Sequence, residues 1–273
     1  MLLYIMNTKY DKQIQGSGGR NILVIGCVHG DELIGERVIK ELRKVAVSQG
    51  TLVTVIANTR AMKAGKRFID QDLNRSFPGK PQGNHEEQLA YSLFPLIKEA
   101  DIVLDIHSTT TDTTSAIILT KVNQPIMLLL SAFEPKRVVM MEKKVGKTAL
   151  TGYCKAGISF EYGKDKSEKA YKKTLADIIK ILEGDGMIEK TVKKISKSTH
   201  KTEYFEVLGT LARPAGLKLE KTIKNFSLVK KGEIVARNSI HTQKAPHNFY
   251  PLLFGPISYK EIWGFVARKV SKI

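Results

Sequence analysis

NILVIGCVHGDE (residues 21–32) runs from an apolar stretch straight into a histidine, a glycine and two acids. An apolar run with hardly a polar interruption reads as a strand buried on both faces, the mark of a sheet covered by helices on either side. ELIGERVIKELRKVA, from residue 32, follows with apolar residues at helical spacing. A plain surface turn between the two would need only Asn-Gly or Asp-Gly. Here the strand is followed by His29 and, three residues later, Glu32, both able to ligate a metal.

The alternation continues for two thirds of the 273 residues. TLVTVIAN (51–58), DIVLDIH (101–107), TSAIILT (114–120) and AGISFEYG (156–163) read as strands. NHEEQLAYSLFPLIKEA opens on an Asn84 cap with Glu87 three residues on, a helix start, and SEKAYKKTLADIIKILEG closes the region as a helix. This pattern predicts a three-layer α/β domain over residues 1–190 with a largely parallel or mixed central sheet. Beyond residue 195, EYFEVLGTLARP, GLKLE, FSLVKKGEIVARN and NFYPLLFG are short β-like runs between turn residues. They predict a small β-rich domain over 196–273, joined through the lysine-rich KTVKKISKSTHK. The segment TRAMKAGKRFIDQDLNRSFPGKPQG, between strand 51–58 and the Asn84 helix, is longer than irregular loops ordinarily run without a function. Phe68, Ile69, Leu73 and Phe77 are its candidate anchors.

The composition is that of an ordinary globular protein, 42% hydrophobic and 26% charged, and no apolar run approaches the roughly 20 residues that span a bilayer. MLLYIM is too short for the apolar core of a signal peptide. Two cysteines, Cys27 and Cys154, make neither a disulfide framework nor a thiolate cluster, so a reduced, cytoplasmic protein without membrane partners is expected. Lys and Arg number 44 against 27 acids, a formal charge of +17. The lysines fall in short scattered groups with no interleaved aromatics, which reads as a solvated surface that attracts small anions and not as a nucleic-acid site. A homo-oligomer is compatible with this composition.

In an open α/β sheet, ligands bind beyond the carboxyl ends of the strands. His29, Glu32, His107 and Glu161 all fall there. Two imidazoles and a carboxylate form a ligand set that zinc uses in hydrolytic sites, with one position left open, and a further carboxylate can act as base. Taken singly, each has a duller reading: a histidine at a strand end is commonly a hydrogen-bonded structural residue, and acids at a helix start complement its dipole. Asp105 shares a strand side with His107 and is placed to orient it. Asp70 and Asp72 read as stabilising their own loop, and His85, His200, His241 and His247 as surface or structural.

The ordered set HGDE (29–32), NTRAMKAGKRFIDQDLNRSFPG (58–79), DIHST (105–109) and SFEYG (159–163), with FYPLLFGPISY near the C-terminus, resembles the succinylglutamate desuccinylase/aspartoacylase family of zinc amidohydrolases, over most of the chain. The resemblance implies a carboxypeptidase-like α/β fold and one Zn²⁺ held by His29, Glu32 and His107. It implies that Glu161 takes a proton from the attacking water and returns one to the leaving amine. It assigns Arg67 to the scissile carbonyl, Asn74 and Arg75 to the α-carboxylate of a small anionic N-acyl amino acid, and Tyr259 to the substrate pocket. One departure stands out: the stretch KKVGKTALTGYCKAG has lysines where aspartoacylase has an arginine for the substrate's side-chain carboxylate, which leaves the acyl group and amino acid open.

Three rival readings are weaker. A zinc carboxypeptidase acting on short peptides would share the metal site but not the C-terminal β region. GSGGRN (16–21) precedes its strand, whereas a phosphate loop follows one. A non-catalytic zinc-binding protein has no need of Glu161.

Overall fold

The structure, a computed structural model, describes residues 9–111, 113, 115–141, 149–190, 201–255 and 259–273, together with the backbone of 3–7. His200, the lysine-rich join over 191–200 and the lysines of KKVGK lie outside the described residues.

The apolar run forms β3 (Asn21–Gly26), and its alternation decides the layers. Ile22 and Val24 face one core; Leu23 and Ile25 face the other. The first core packs on α1 (Ile34–Leu42), α4 (Gln124–Phe133) and α5 (Glu168–Gly184), through residues such as Val38, Ile39, Ile126, Ile178 and Ile181. The second packs on α3 (His85–Glu99) through Leu89, Leu93 and Ile97. Truncating any of these buried leucines or isoleucines to Ala costs about 2–5 kcal/mol. The Asn84 cap is present as expected: its Oδ1 accepts from Glu87 N at 3.0 Å while Glu87 Oε2 accepts from Asn84 N at 3.0 Å.

Beside β3 lie β4 (Gly50–Ile56) and β5 (Ile102–His107), both parallel to it, and β8 (Ala156–Glu161) is parallel to β5. This block is the parallel sheet that the alternation predicts. Around it the sheet is mixed. A hairpin, β1 (Leu3–Asn7) and β2 (Tyr10–Ser17), adds antiparallel strands next to β4. On the other side β6 (Ala116–Leu119) runs antiparallel to β8. Its link to β5 is only residues 108–115, too short for the crossover of a dozen or more residues that a parallel neighbour demands.

From β6 the sheet continues through β7 (Arg137–Met140) and β9 (Glu203–Ala212), each parallel to the one before, then β14 (Ile262–Val270) and β13 (Tyr250–Leu252). The strands of the C-terminal region therefore divide. Three extend the main sheet to eleven strands, and β10 (Lys218–Leu219), β11 (Ile234–Arg237) and β12 (Thr242–Lys244) make a separate antiparallel sheet. Among the described residues no helix is long and apolar enough to cross a membrane.

Loop 64–84 follows the short α2 (Thr59–Lys63) and passes over the carboxyl end of β3. Leu73 and Phe77 are buried and anchor it as expected. Phe68 does not: it is 36% exposed, because the Gly30 N–H to Arg67 carbonyl bond at 2.9 Å holds the chain at the rim there.

Candidate active site

The parallel block brings the carboxyl ends of β3, β5 and β8 side by side. His107 and Glu161 are the last residues of adjacent strands and are paired in register, so both side chains project from the same side. His29 arrives from the turn after β3. Glu32 lies in that turn, just before α1, and not inside the helix as its spacing suggests, because α1 begins at Ile34, whose N–H donates to Asp165 Oδ1 at 2.7 Å. Gly30 explains the HG pair: a Cβ there would stand 2.4 Å from the Ala61 carbonyl carbon and 2.5 Å from Met62 N in α2. Gly30→Ala is therefore expected to destabilise the fold by about 1–3 kcal/mol and to loosen the His29 turn. A thermal melt that matches the wild type would contradict this close approach.

His29, Glu32 and His107 are buried together, with three ligand atoms within 4.8 Å of one another. The Nδ1 atoms of both imidazoles converge on Glu32: His29 Nδ1 lies 2.9 Å from Oε1 and His107 Nδ1 2.9 Å from Oε2. Each ring turns its other nitrogen to an acid. His107 Nε2 is 2.8 Å from Asp105 Oδ2, as the strand spacing predicted, and His29 Nε2 is 3.1 Å from Asp72 Oδ1. The second contact is a correction. Asp72 does cap its own loop, accepting from Asn74 N at 2.8 Å, but the same oxygen also holds a histidine 43 positions away. Sequence spacing carries no trace of that pairing.

Charge follows this packing. Burial alone pushes both imidazoles down, yet Glu32 beside His29, and Asp105 with Glu32 beside His107, raise them overall. Burial likewise pushes Glu32 up, but the two histidines hold it well below the carboxylate range. A divalent cation among the two Nδ1 atoms and Glu32 fits this donor set. Three carboxylates surround two imidazoles. The outer acids Asp72 and Asp105 hold each ring by Nε2 and leave Nδ1 facing inward, the kind of outer partner that orients an imidazole toward a metal.

Glu161 lines the same cavity, of about 460 Å³. Burial raises its carboxyl to about 7. Arg67 is at the rim: Nη1 donates to Glu32 Oε1 at 2.9 Å and the side chain is partly exposed. Asn74 is buried, with Oδ1 accepting from Leu150 N at 3.1 Å and Nδ2 3.3 Å from His107 Nε2. Arg75 Nη1 donates to the Asn74 carbonyl at 3.0 Å. Tyr259 comes from the C-terminal region and meets Phe265 edge-on at 5.6 Å. All four line the cavity together with His29, Glu32, His107 and Glu161, so these eight residues are gathered at one place.

The cavity also has features that motif reading missed. Ser108, Thr109, Thr110 and Thr111 form a hydroxyl-rich wall, and Ile118, Met141, Leu253 and Phe265 an apolar end. The DIHST motif hinted at the first; the second depends on strand order. Cys27, at the left-handed φ of +54°, is buried, and burial raises its thiol, so it packs as expected. His85 is structural, its Nε2 3.1 Å from Asn58 Oδ1.

A mixed sheet between two layers of helices, with a two-histidine, one-glutamate cluster at its strand ends beside a carboxylate-lined cavity, defines a three-layer α/β protein with a candidate metal centre. Residues 18–184 match the succinylglutamate desuccinylase/aspartoacylase catalytic domain, and the chain belongs to that family. A probable aspartoacylase of Trichodesmium erythraeum is 26% identical over 85% of this chain and 81% of its own length. An N-alpha-acetyl-L-2,4-diaminobutyric acid deacetylase of Halomonas elongata is 38% identical, but over only 33% of this chain and 29% of that protein. Murine aminoacylase 3 has the same fold, with a TM-score of 0.77 and 19% identity over 93% of this chain and 97% of the other.

Proposed function

We propose that the protein is a zinc-dependent hydrolase of small N-acyl amino acids, cleaving the linear amide bond. The observation that carries this reading is the juxtaposition of His29, Glu32 and His107 with Glu161 in one cavity. Zn²⁺ held by the three ligands would supply Lewis-acid polarisation and lower the pKa of water toward about 7. Asp72 and Asp105 keep the two ligand rings aimed. Glu161 accepts the proton of the attacking water and returns a proton to the leaving amine, a task suited to a carboxyl raised toward neutrality. Arg67, at the rim beside Glu32, is placed to stabilise charge developing on the carbonyl oxygen. Arg75 provides a planar fork for the α-carboxylate, and Asn74 fixes the turn that presents it. Tyr259 closes the cavity from the C-terminal region, in keeping with a capping role for residues 196–273. The relatives' names, deacetylase and probable aspartoacylase, support an acylated amino acid as substrate. The free buried cysteines accord with a cytoplasmic location, and the scattered lysines with an anionic substrate in place of nucleic acid.

A panel of N-acyl amino acids, their α-amides and short peptides tests the substrate class. Free α-carboxylates should be hydrolysed and α-amides poorly. Arg75→Lys should raise KM for the acids about tenfold with kcat nearly kept, because it removes uniform binding. Equal turnover of acids and amides would contradict the carboxylate assignment.

A further inference from the structure

Loop 64–84 presents Arg67, Asn74 and Arg75 to the cavity, yet its regular structure is limited to one 3-10 turn at Leu73–Arg75. Irregular backbone holds a single path only where its N–H groups find partners. Ile69, Asp70 and Gln71 are consecutive, and all three aim their N–H groups at one carboxylate. Ile69 N donates to Glu86 Oε1 at 2.7 Å; Asp70 N and Gln71 N donate to Oε2 at 2.9 and 3.3 Å. Asn58 Nδ2 gives Oε1 a fourth hydrogen bond at 3.1 Å.

Glu86 is fully buried, at 0% exposure. Although burial alone pushes its carboxyl up, the N–H groups of Ile69 and Asp70 bring it below its ordinary range. The residue is not needed to start α3, since the Asn84–Glu87 capping box is complete without it. Nor is it among the residues lining the cavity. Its other neighbours are themselves fixed. Asn58 Oδ1 accepts from Ala61 N at 3.2 Å, and Asp70 Oδ2 accepts from His85 N at 2.9 Å. The starts of α2 and α3 and the loop between them therefore meet at one buried carboxylate.

We propose that Glu86 is a positioning residue: its four hydrogen bonds set the path of residues 69–71, and with it the placement of Arg67 on one side and of the Asp72–Arg75 turn on the other. The kinetic consequence rests on the hydrolase reading above, whereas the structural one does not.

Glu86→Gln separates them. The amide has the shape of the carboxylate but only one acceptor atom, so in either orientation two of the four donors face an NH₂ group. In hydrogen–deuterium exchange on the full chain, peptides covering 66–77 should exchange about tenfold faster or more, with those over β3 and β5 unchanged. Zinc content should stay at the wild-type level. On an accepted N-acyl amino acid, kcat/KM should fall about 10- to 100-fold, the size of effect that displacing positioned groups by an ångström produces. Unchanged exchange over 66–77, or an increase spread equally over the sheet, would overturn the proposal, as would wild-type kcat and KM. If the wild-type protein hydrolyses no N-acyl amino acid, the substrate reading fails and the exchange pattern alone decides the role of Glu86. If the Gln variant does not fold, the same readings on Glu86→Asp decide it, since that change keeps the charge and withdraws it by one methylene.

Discussion

Glu161→Gln is expected to lower kcat on an accepted N-acyl amino acid by about 10²- to 10⁴-fold with zinc content unchanged. The substitution keeps the shape of the side chain and removes its ability to exchange a proton. Glu161 is not one of the three clustered ligand residues, so the metal should remain. Its pH signature follows from the same group. A general base works as carboxylate, so activity falls as pH drops through its pKa. Burial places that value at about 7, and a neighbouring dication favours the anion and moves it lower. The acid limb of kcat/KM in the wild type should thus lie below pH 7, and the residual activity of the Gln variant should lack it. A variant with near wild-type turnover, or the same acid limb, would remove Glu161 from the mechanism.

His107→Ala should act earlier in the chain of cause. It removes one of two Nδ1 donors and leaves Glu32 and Asp105 facing each other across an emptied, buried space. Zinc in protein purified without added metal should fall from about one ion per chain to near zero. Activity should drop by about 10³-fold or more, as expected when several kcal/mol of Lewis-acid stabilisation is lost. Undiminished zinc in this variant, measured by elemental analysis, would contradict the ligand assignment.

The layers of the fold and four residues of the candidate site were legible in the sequence because both follow from short-range pattern, whereas Arg67, Asn74, Arg75 and Tyr259 came only with the family resemblance. β3 declares its two buried faces by composition, and the Asn84 box declares α3. Strand ends then identify His107 and Glu161, and the strand-to-helix turn identifies His29 and Glu32. The N-terminal hairpin, β7 and the long β14 have no such punctuation, whereas α4 has a start signal, Asn123 capping Ile126 N with Pro125 in the first turn. The antiparallel turn of β6 is set by a short link whose consequence appears only with the sheet order. Asp72 and Glu86 escaped for a related reason. Each has an adequate local role to suggest, loop cap or first-turn acid, while its decisive partners lie across the loop or beyond it. A second acid beside a capping box that needs only one was the available signal for Glu86.

The most direct test of the central claim is the hydrolysis rate of one accepted N-acyl amino acid by the wild-type protein, followed through chelation and the return of Zn²⁺. Chelation should abolish turnover, and one equivalent of Zn²⁺ per chain should restore it. Turnover that persists in demonstrably metal-free protein would contradict the account.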